Sequence, residues 1–232
     1  MRNIIVITGA LSGFGAWPFA SNFTMTETNE LAPMDDPRTV LHWYDFICPF
    51  CYVGQQRTAI LVRHRFHVVE LPFQIHPDIP PGGIRAGPRT GPMYAMLERE
   101  AKEAGLLLKW PPRLPNTRRA LAAAEWTRQH QPHAFPKLHR DLFEAHFALG
   151  EDLEDLNVIN RHATEAGIDV GALNGALADG TATRAITHAE VLGRKYGVQG
   201  TPAWLLDQQL ITGLRPAAEF ERLAKGAMQL PR

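Results

Sequence analysis

The chain has only two cysteines, Cys48 and Cys51, and they stand three positions apart. They directly follow a β-rich apolar run, Thr39 to Phe46, and open a helical pattern that continues to about Arg65. A lone pair excludes a secreted scaffold stapled by several disulfides, and it excludes a four-cysteine zinc site. On a first helical turn, positions i and i+3 bring their Cα atoms to about 5–6 Å, within disulfide reach. Cys48 falls at the helix N-terminus, where unpaired amide groups and the helix dipole favour a thiolate. Its pKa is expected to drop from about 8.5 toward the roughly 3.5–7.5 range of such motifs. Cys51 lies one turn inside and is expected to keep its proton. The pair therefore divides into an exposed nucleophile and a resolving thiol. Half a zinc site completed by His130 or His133 is the competing metal reading, and the Pro-broken stretch around those histidines argues against it.

The pattern around the pair sets the fold class. Thr39 to Phe46 is almost continuously apolar, as a buried central strand is. Phe66 to His76 alternates, with Val69, Leu71, Phe73 and Ile75 on one face, and Pro72 marks this strand as an edge or an irregular one. Pro77 to Pro92, rich in proline and glycine, reads as a loop. Met93 to Tyr196 then reads as helices, broken at Pro111-Pro112, Gln131-Pro132 and Gly150. Within it, Asp152 is expected to cap a helix ended by Gly167, and Ala185, Ala189, Leu192 and Tyr196 form a later apolar stripe. Strands return at Ala203 to Leu206 and Gln209 to Thr212, joined by a tight turn at Asp207-Gln208, and Pro216 opens a last helix carrying Phe220, Leu223 and Ala227. The order is β-α-β, a block of helices, then β-β-α.

Charge and the N-terminal segment narrow the function classes. Lys plus Arg and Asp plus Glu both number 24, so no basic excess is available to neutralise a phosphate backbone, and no nucleic-acid partner is expected. No run of 18 apolar residues occurs, so no membrane-spanning helix is expected. Residues 1–37 read as a leader that is disordered or an over-extended start. Thr8 to Gly15 has the glycine spacing of a dinucleotide-binding turn, but Trp17-Pro18 interrupts the helix that should follow, and no tyrosine has a lysine four residues on. A secretory signal over Arg2 to Ala20 is the alternative, weakened by its glycines and Pro18. Cytoplasmic location is expected, with export the alternative if that segment is a signal.

Several motifs are similar to the DsbA family of thioredoxin-fold proteins. Asp45 to Gly54 resembles the active-site segment of its FrnE-like branch. Phe73 to Pro77 and Gly150 to Asp155 resemble other segments of that branch, and Val198 to Pro202 its cis-proline loop. The resemblance covers residues 38–230. It implies an α/β, thioredoxin-like fold from residues 38–84 and 197–232, with a large all-helical insertion over 85–196.

It further implies a thiol–disulfide oxidoreductase in which Cys48 attacks and Cys51 resolves. Pro202, in a cis peptide with Thr201, packs against the sulfurs and keeps metal out. Thr201 pairs with a bound peptide, and Pro49, Phe50 and Asn116 complete the substrate-binding surface; Asn116 reads equally as a helix cap. The substrate is a disulfide-containing protein or a small thiol. No metal or separate cofactor is implied beyond the Cys48–Cys51 disulfide, with glutathione as a possible co-substrate. Phe50 stands where DsbA itself has histidine, which implies a less acidic Cys48 and a less oxidising pair.

The related 2-hydroxychromene-2-carboxylate isomerases use glutathione and carry serine at the nucleophile position, so an isomerase or transferase acting on small aromatic or polyketide substrates is the second reading. Asp45 either tunes the Cys51 proton or caps the active-site helix. His42 reads as a satisfied core histidine, and His76 is given no role. Trp43, Trp110, Trp126 and Trp204 read as core or cleft wall.

Overall fold

A computed structural model describes residue 36 and residues 38–227 of the chain. The leader, with its dinucleotide-turn and signal readings, lies outside the described residues.

The described chain runs β1 (Thr39–Tyr44), α1 (Pro49–Arg63), β2 (His67–Pro72), β3 (Ile84–Arg85), α2 (Pro92–Glu103), β4 (Arg113–Leu114), α3 (Arg118–His130) and α4 (Phe135–Glu144). A π-helical turn, Ala145–Leu149, extends α4. After it come α5 (Leu156–Glu165), α6 (Val170–Ala178), α7 (Thr181–Lys195), β5 (Ala203–Leu206), β6 (Gln209–Thr212) and α8 (Ala217–Ala227). The main sheet has the order β2-β1-β5-β6. β1 pairs parallel with β2 and antiparallel with β5, and β5 pairs antiparallel with β6. This is the expected α/β, thioredoxin-like arrangement.

Alternation along the strands sorts side chains onto two faces. Val40, Trp204 and Leu206 pack with Ile60, Leu61 and Phe220, on the α1–α8 side. Leu41, Trp43, Leu71 and Leu205 pack with Ala189 of α7 on the other. Trp43 and Trp204 are fully buried, one on each face. Contact with α7 is close because Gly193 has no side chain: a Cβ there would sit 2.9 Å from Trp43 Nε1. Trp43 Nε1 in turn donates to the Ala189 carbonyl at 3.1 Å.

Several local expectations shift. β1 stops at Tyr44, short of Phe46, because the Cys48 amide donates to the Asp45 carbonyl at 3.1 Å and closes a turn. β2 ends at Pro72, and as an edge strand it tolerates the missing amide there. The Pro/Gly-rich loop contains β3, which pairs with β4 in a two-residue ladder that such short runs do not announce. The helix expected from Asp152 starts at Leu156 instead. Its cap is Asp155, whose carboxylate accepts the Asn157 amide at 2.8 Å, while Asp152 holds a preceding turn through the Glu154 amide at 3.0 Å. On α7 the buried stripe is Ala182, Ile186, Ala189 and Gly193, about one position from the expected set, because Gly193 is where Trp43 presses in. The Asp207-Gln208 turn is as expected, with φ of +47° and +61°, the left-handed pair that suits the strand twist.

Candidate active site

The loop from β1 to α1 is held by a buried acid. Asp45 Oδ2 accepts the Ile75 amide at 2.9 Å and Oδ1 accepts the Ile47 amide at 3.3 Å. These bonds tie the strand ends to the loop that delivers Cys48. Asp45 does not cap α1. That position belongs to Cys48 itself, whose Sγ accepts the Cys51 amide at 3.3 Å. Pro49 follows at the first helical position, where its missing donor costs nothing.

Opposite Cys48 stands the loop before β5. The Thr201-Pro202 peptide is cis, as the sequence suggested. The Cys48 thiol donates to the Thr201 carbonyl at 3.3 Å, which joins residues 153 apart in the chain. Gly54 lets α1 approach this loop: a Cβ there would meet the Trp204 ring at 3.3 Å and the Pro202 ring at 3.7 Å.

Both cysteines are free thiols. Contrary to expectation Cys48 is not exposed. It is only 2% accessible, because it belongs to the apolar cluster of Tyr44, Phe46, Cys51 and Tyr52 and lies against the Thr201 carbonyl. Their acidities nevertheless divide as the helix position suggests. Burial alone would raise the Cys48 thiol, but hydrogen bonds from the Cys51 thiol, Thr201 and the Cys51 amide together outweigh it and hold it below its ordinary value. Burial, the hydrogen bond to Cys48 and the charge on Cys48 push Cys51 well above its own.

Asp45 is fully buried, and that burial, opposed by its amide donors, raises its carboxyl to about 6. His42 is only half satisfied. Its Nδ1 bonds Glu70 and its ring stacks on Trp204 at 4.5 Å between centroids, but its Nε2 has no partner. His76 is exposed, 4.0 Å from Asp78.

The cap position of α3 is Thr117, which makes no side-chain capping bond, and Asn116 one residue before it serves the helix start instead. Its Oδ1 accepts Gln74 Nε2 at 2.9 Å and the Arg118 amide at 3.0 Å, and its Nδ2 donates to the Ile79 carbonyl at 2.6 Å. It thus fastens the exit of β2 to the start of α3. Phe50 is half-buried and packs against both the cysteine cluster and a second one around Val53, Leu97 and Ala101. Pro49 beside it is also half-buried.

Sequence reasoning missed His139. Its ring meets Tyr44 edge-on at 4.4 Å, and burial pushes it down to about 4. No spacing signals it, since it comes from α4, far along the chain. His130 stacks on Trp126 and bonds its carbonyl, so it serves α3 rather than the cysteines.

A family model of the DSBA-like thioredoxin domain matches residues 39–225. The chain belongs to that family. It is 27% identical over 187 residues to the 2-hydroxychromene-2-carboxylate isomerase of Sphingobium xenophagum, covering 76% of this chain and 92% of the relative. Among solved structures it is similar to a probable DsbA oxidoreductase from Streptomyces coelicolor, with a TM-score of 0.66 at 22% identity, covering 84% of this chain and 92% of that one. It is also similar to the cytosolic disulfide reductase DsbM from Pseudomonas aeruginosa, solved with GSH, with a TM-score of 0.60 at 15% identity, over 83% of this chain and 100% of that one. The expected DsbA-family resemblance therefore holds, and its members include both disulfide oxidoreductases and isomerases. No helix among the described residues is long and apolar enough to cross a membrane.

Proposed function

We propose that this protein is a thiol–disulfide oxidoreductase acting on a protein or small-molecule disulfide. The observation that carries the reading is the geometry of two free thiols within one helical turn. Cys48 stands at the helix cap, its Sγ 3.3 Å from the Cys51 amide and 3.3 Å from the carbonyl of Thr201 in the cis Thr201-Pro202 loop. The opposed acidity of the two thiols agrees with it. The Cys48 thiolate attacks one sulfur of the substrate disulfide. A mixed disulfide forms, and the first substrate thiolate leaves and takes a proton. Cys51 then gives up its proton and attacks Cys48, which releases the second substrate thiol and leaves a Cys48–Cys51 disulfide. Two electrons have passed to the substrate; the reverse sequence oxidises a dithiol.

The Thr201 carbonyl meets the reacting sulfur, Pro202 is proposed to pack beside it, and the Thr201 backbone is proposed to offer an extended substrate segment a strand to pair with. Pro49 and Phe50 form the surface the substrate meets beside Cys48, and Asn116 shapes that region through its bonds to Gln74 and Ile79. Glutathione is the small thiol proposed to return the pair to its working state.

Insulin reduction tests the reading. Cys48→Ser should abolish it, while Cys51→Ser should accumulate mixed disulfides on Cys48. If Cys48→Ser keeps thiol reactivity and Cys51→Ser loses it, the roles are wrong. The isomerase relative supports a second reading, a glutathione-dependent isomerisation of small aromatic substrates. That reading predicts turnover of a hydroxychromene carboxylate that survives Cys51→Ser, because it needs no resolving thiol.

A further inference from the structure

Away from the cysteines, the described residues bring three metal-ligating side chains together. Asp141 on α4 and His162 and Glu165 on α5 place one donor atom each within 4.8 Å of one another. His162 is only 6% accessible. Its Nε2 lies 2.8 Å from Glu151 Oε2, the nearer of its two neighbours, with Arg161 Nη2 at 3.3 Å, and that carboxylate is itself held by Arg161 at 2.7 Å. A histidine donating from Nε2 presents a bare lone pair at Nδ1. Nδ1 is buried without a hydrogen-bond partner, 3.9 Å from Glu165 Oε2. A lone pair set against carboxylate oxygens is repulsive, and a cation between them turns the repulsion into bonds.

We propose that Asp141, His162 Nδ1 and Glu165 form a binding site for a divalent cation of the zinc type, which clips α4 to α5. Imidazole with two carboxylates suits that ion, and Glu151 supplies the carboxylate–histidine–metal support that fixes the tautomer. Zinc bonds of about 2.0–2.2 Å require the donors to close to roughly 3.4 Å, a movement on the order of 1 Å. Glu165 ends α5 with its side chain 54% exposed, so it can make that movement. Lys137, which now pairs with Asp141, is 44% exposed and can turn to solvent.

The test uses the full chain carrying Cys48→Ser and Cys51→Ser, so that no thiol competes for the probe, zinc chloride. Calorimetry should show a single zinc ion bound per chain. The melting temperature should rise by roughly 5–10 °C at a hundredfold excess over the dissociation constant. Glu151→Gln, which touches no metal, should weaken binding about 10–100-fold. Glu165→Gln and Asp141→Asn should weaken it at least as much, and Glu165→Gln, which removes the charge facing Nδ1, should not lower the metal-free melting temperature. Absence of binding, or an affinity indifferent to Glu165→Gln and Asp141→Asn, overturns the site.

Discussion

Asp45 is where folding and thiol chemistry share one titratable group. Its carboxyl rises from 3.8 to about 6 on burial. A raised acid binds its proton more tightly in the folded state, so protonation stabilises the fold. The contribution is fully present below the unfolded pKa and is lost as pH rises through about 6. The full span is about 3 kcal/mol, and between about pH 4.5 and about pH 8 roughly 2 kcal/mol of it changes.

Asp45→Asn removes the titration while keeping one oxygen for the Ile75 or Ile47 amide. Urea unfolding of both proteins at both pH values gives a double difference in which other groups cancel. Going from alkaline to acid, the parent should gain about 2 kcal/mol relative to the variant. The Asp45 charge also opposes ionisation of Cys48, so the variant's Cys48 should form thiolate at lower pH, read by its ultraviolet absorbance. Parallel stability profiles for the two proteins would refute the argument, because the acid would then not be paying for its burial.

Two glycines in helices should respond in opposite directions to the same change. Gly193→Ala drives a methyl to 2.9 Å from Trp43 Nε1 and should cost about 1–3 kcal/mol by chemical denaturation. Gly175→Ala, with nothing within 4 Å, should instead stabilise by up to about 1 kcal/mol; equal effects would mean that α7 does not press on the sheet as described. Asn116→Ala leaves the Gln74 amide and the Ile79 carbonyl without their partner and should destabilise by about 1–3 kcal/mol. A full-strength melting transition in that variant would dismiss Asn116 as a fastening point.

Sequence pattern reads well where one local rule decides the outcome. The near-continuous apolar run of β1, the Asp207-Gln208 turn and the place of Cys48 at the start of α1 each follow from a few neighbouring residues. It reads badly where distant chain sets the answer. The α7 stripe is displaced because Trp43, about 150 residues earlier in the chain, claims the space at Gly193. Asp155 takes the cap expected of Asp152 because either aspartate satisfies the local signal, and packing chooses between them. Cys48 looks exposed when only its own helix is considered, and burial arrives with the Thr201 loop. Asp45 reads from its neighbours as a tuning group or a helix cap, and its anchor at the Ile75 amide comes from beyond the end of β2.

The pairing of β1 with β5 also says when reactivity can arise. Trp43 opposes Ala203, so one short antiparallel ladder sets Thr201 beside Cys48. A chain growing from its N-terminus displays the cysteines long before the strand that completes their surroundings has been made. Until residues beyond about 200 emerge, Cys48 lacks the Thr201 carbonyl to which its thiol donates. The nascent pair is therefore without that carbonyl over Cys48 and is open to whatever oxidant or partner it meets. Its surroundings are complete only when the final hairpin docks onto the central strand.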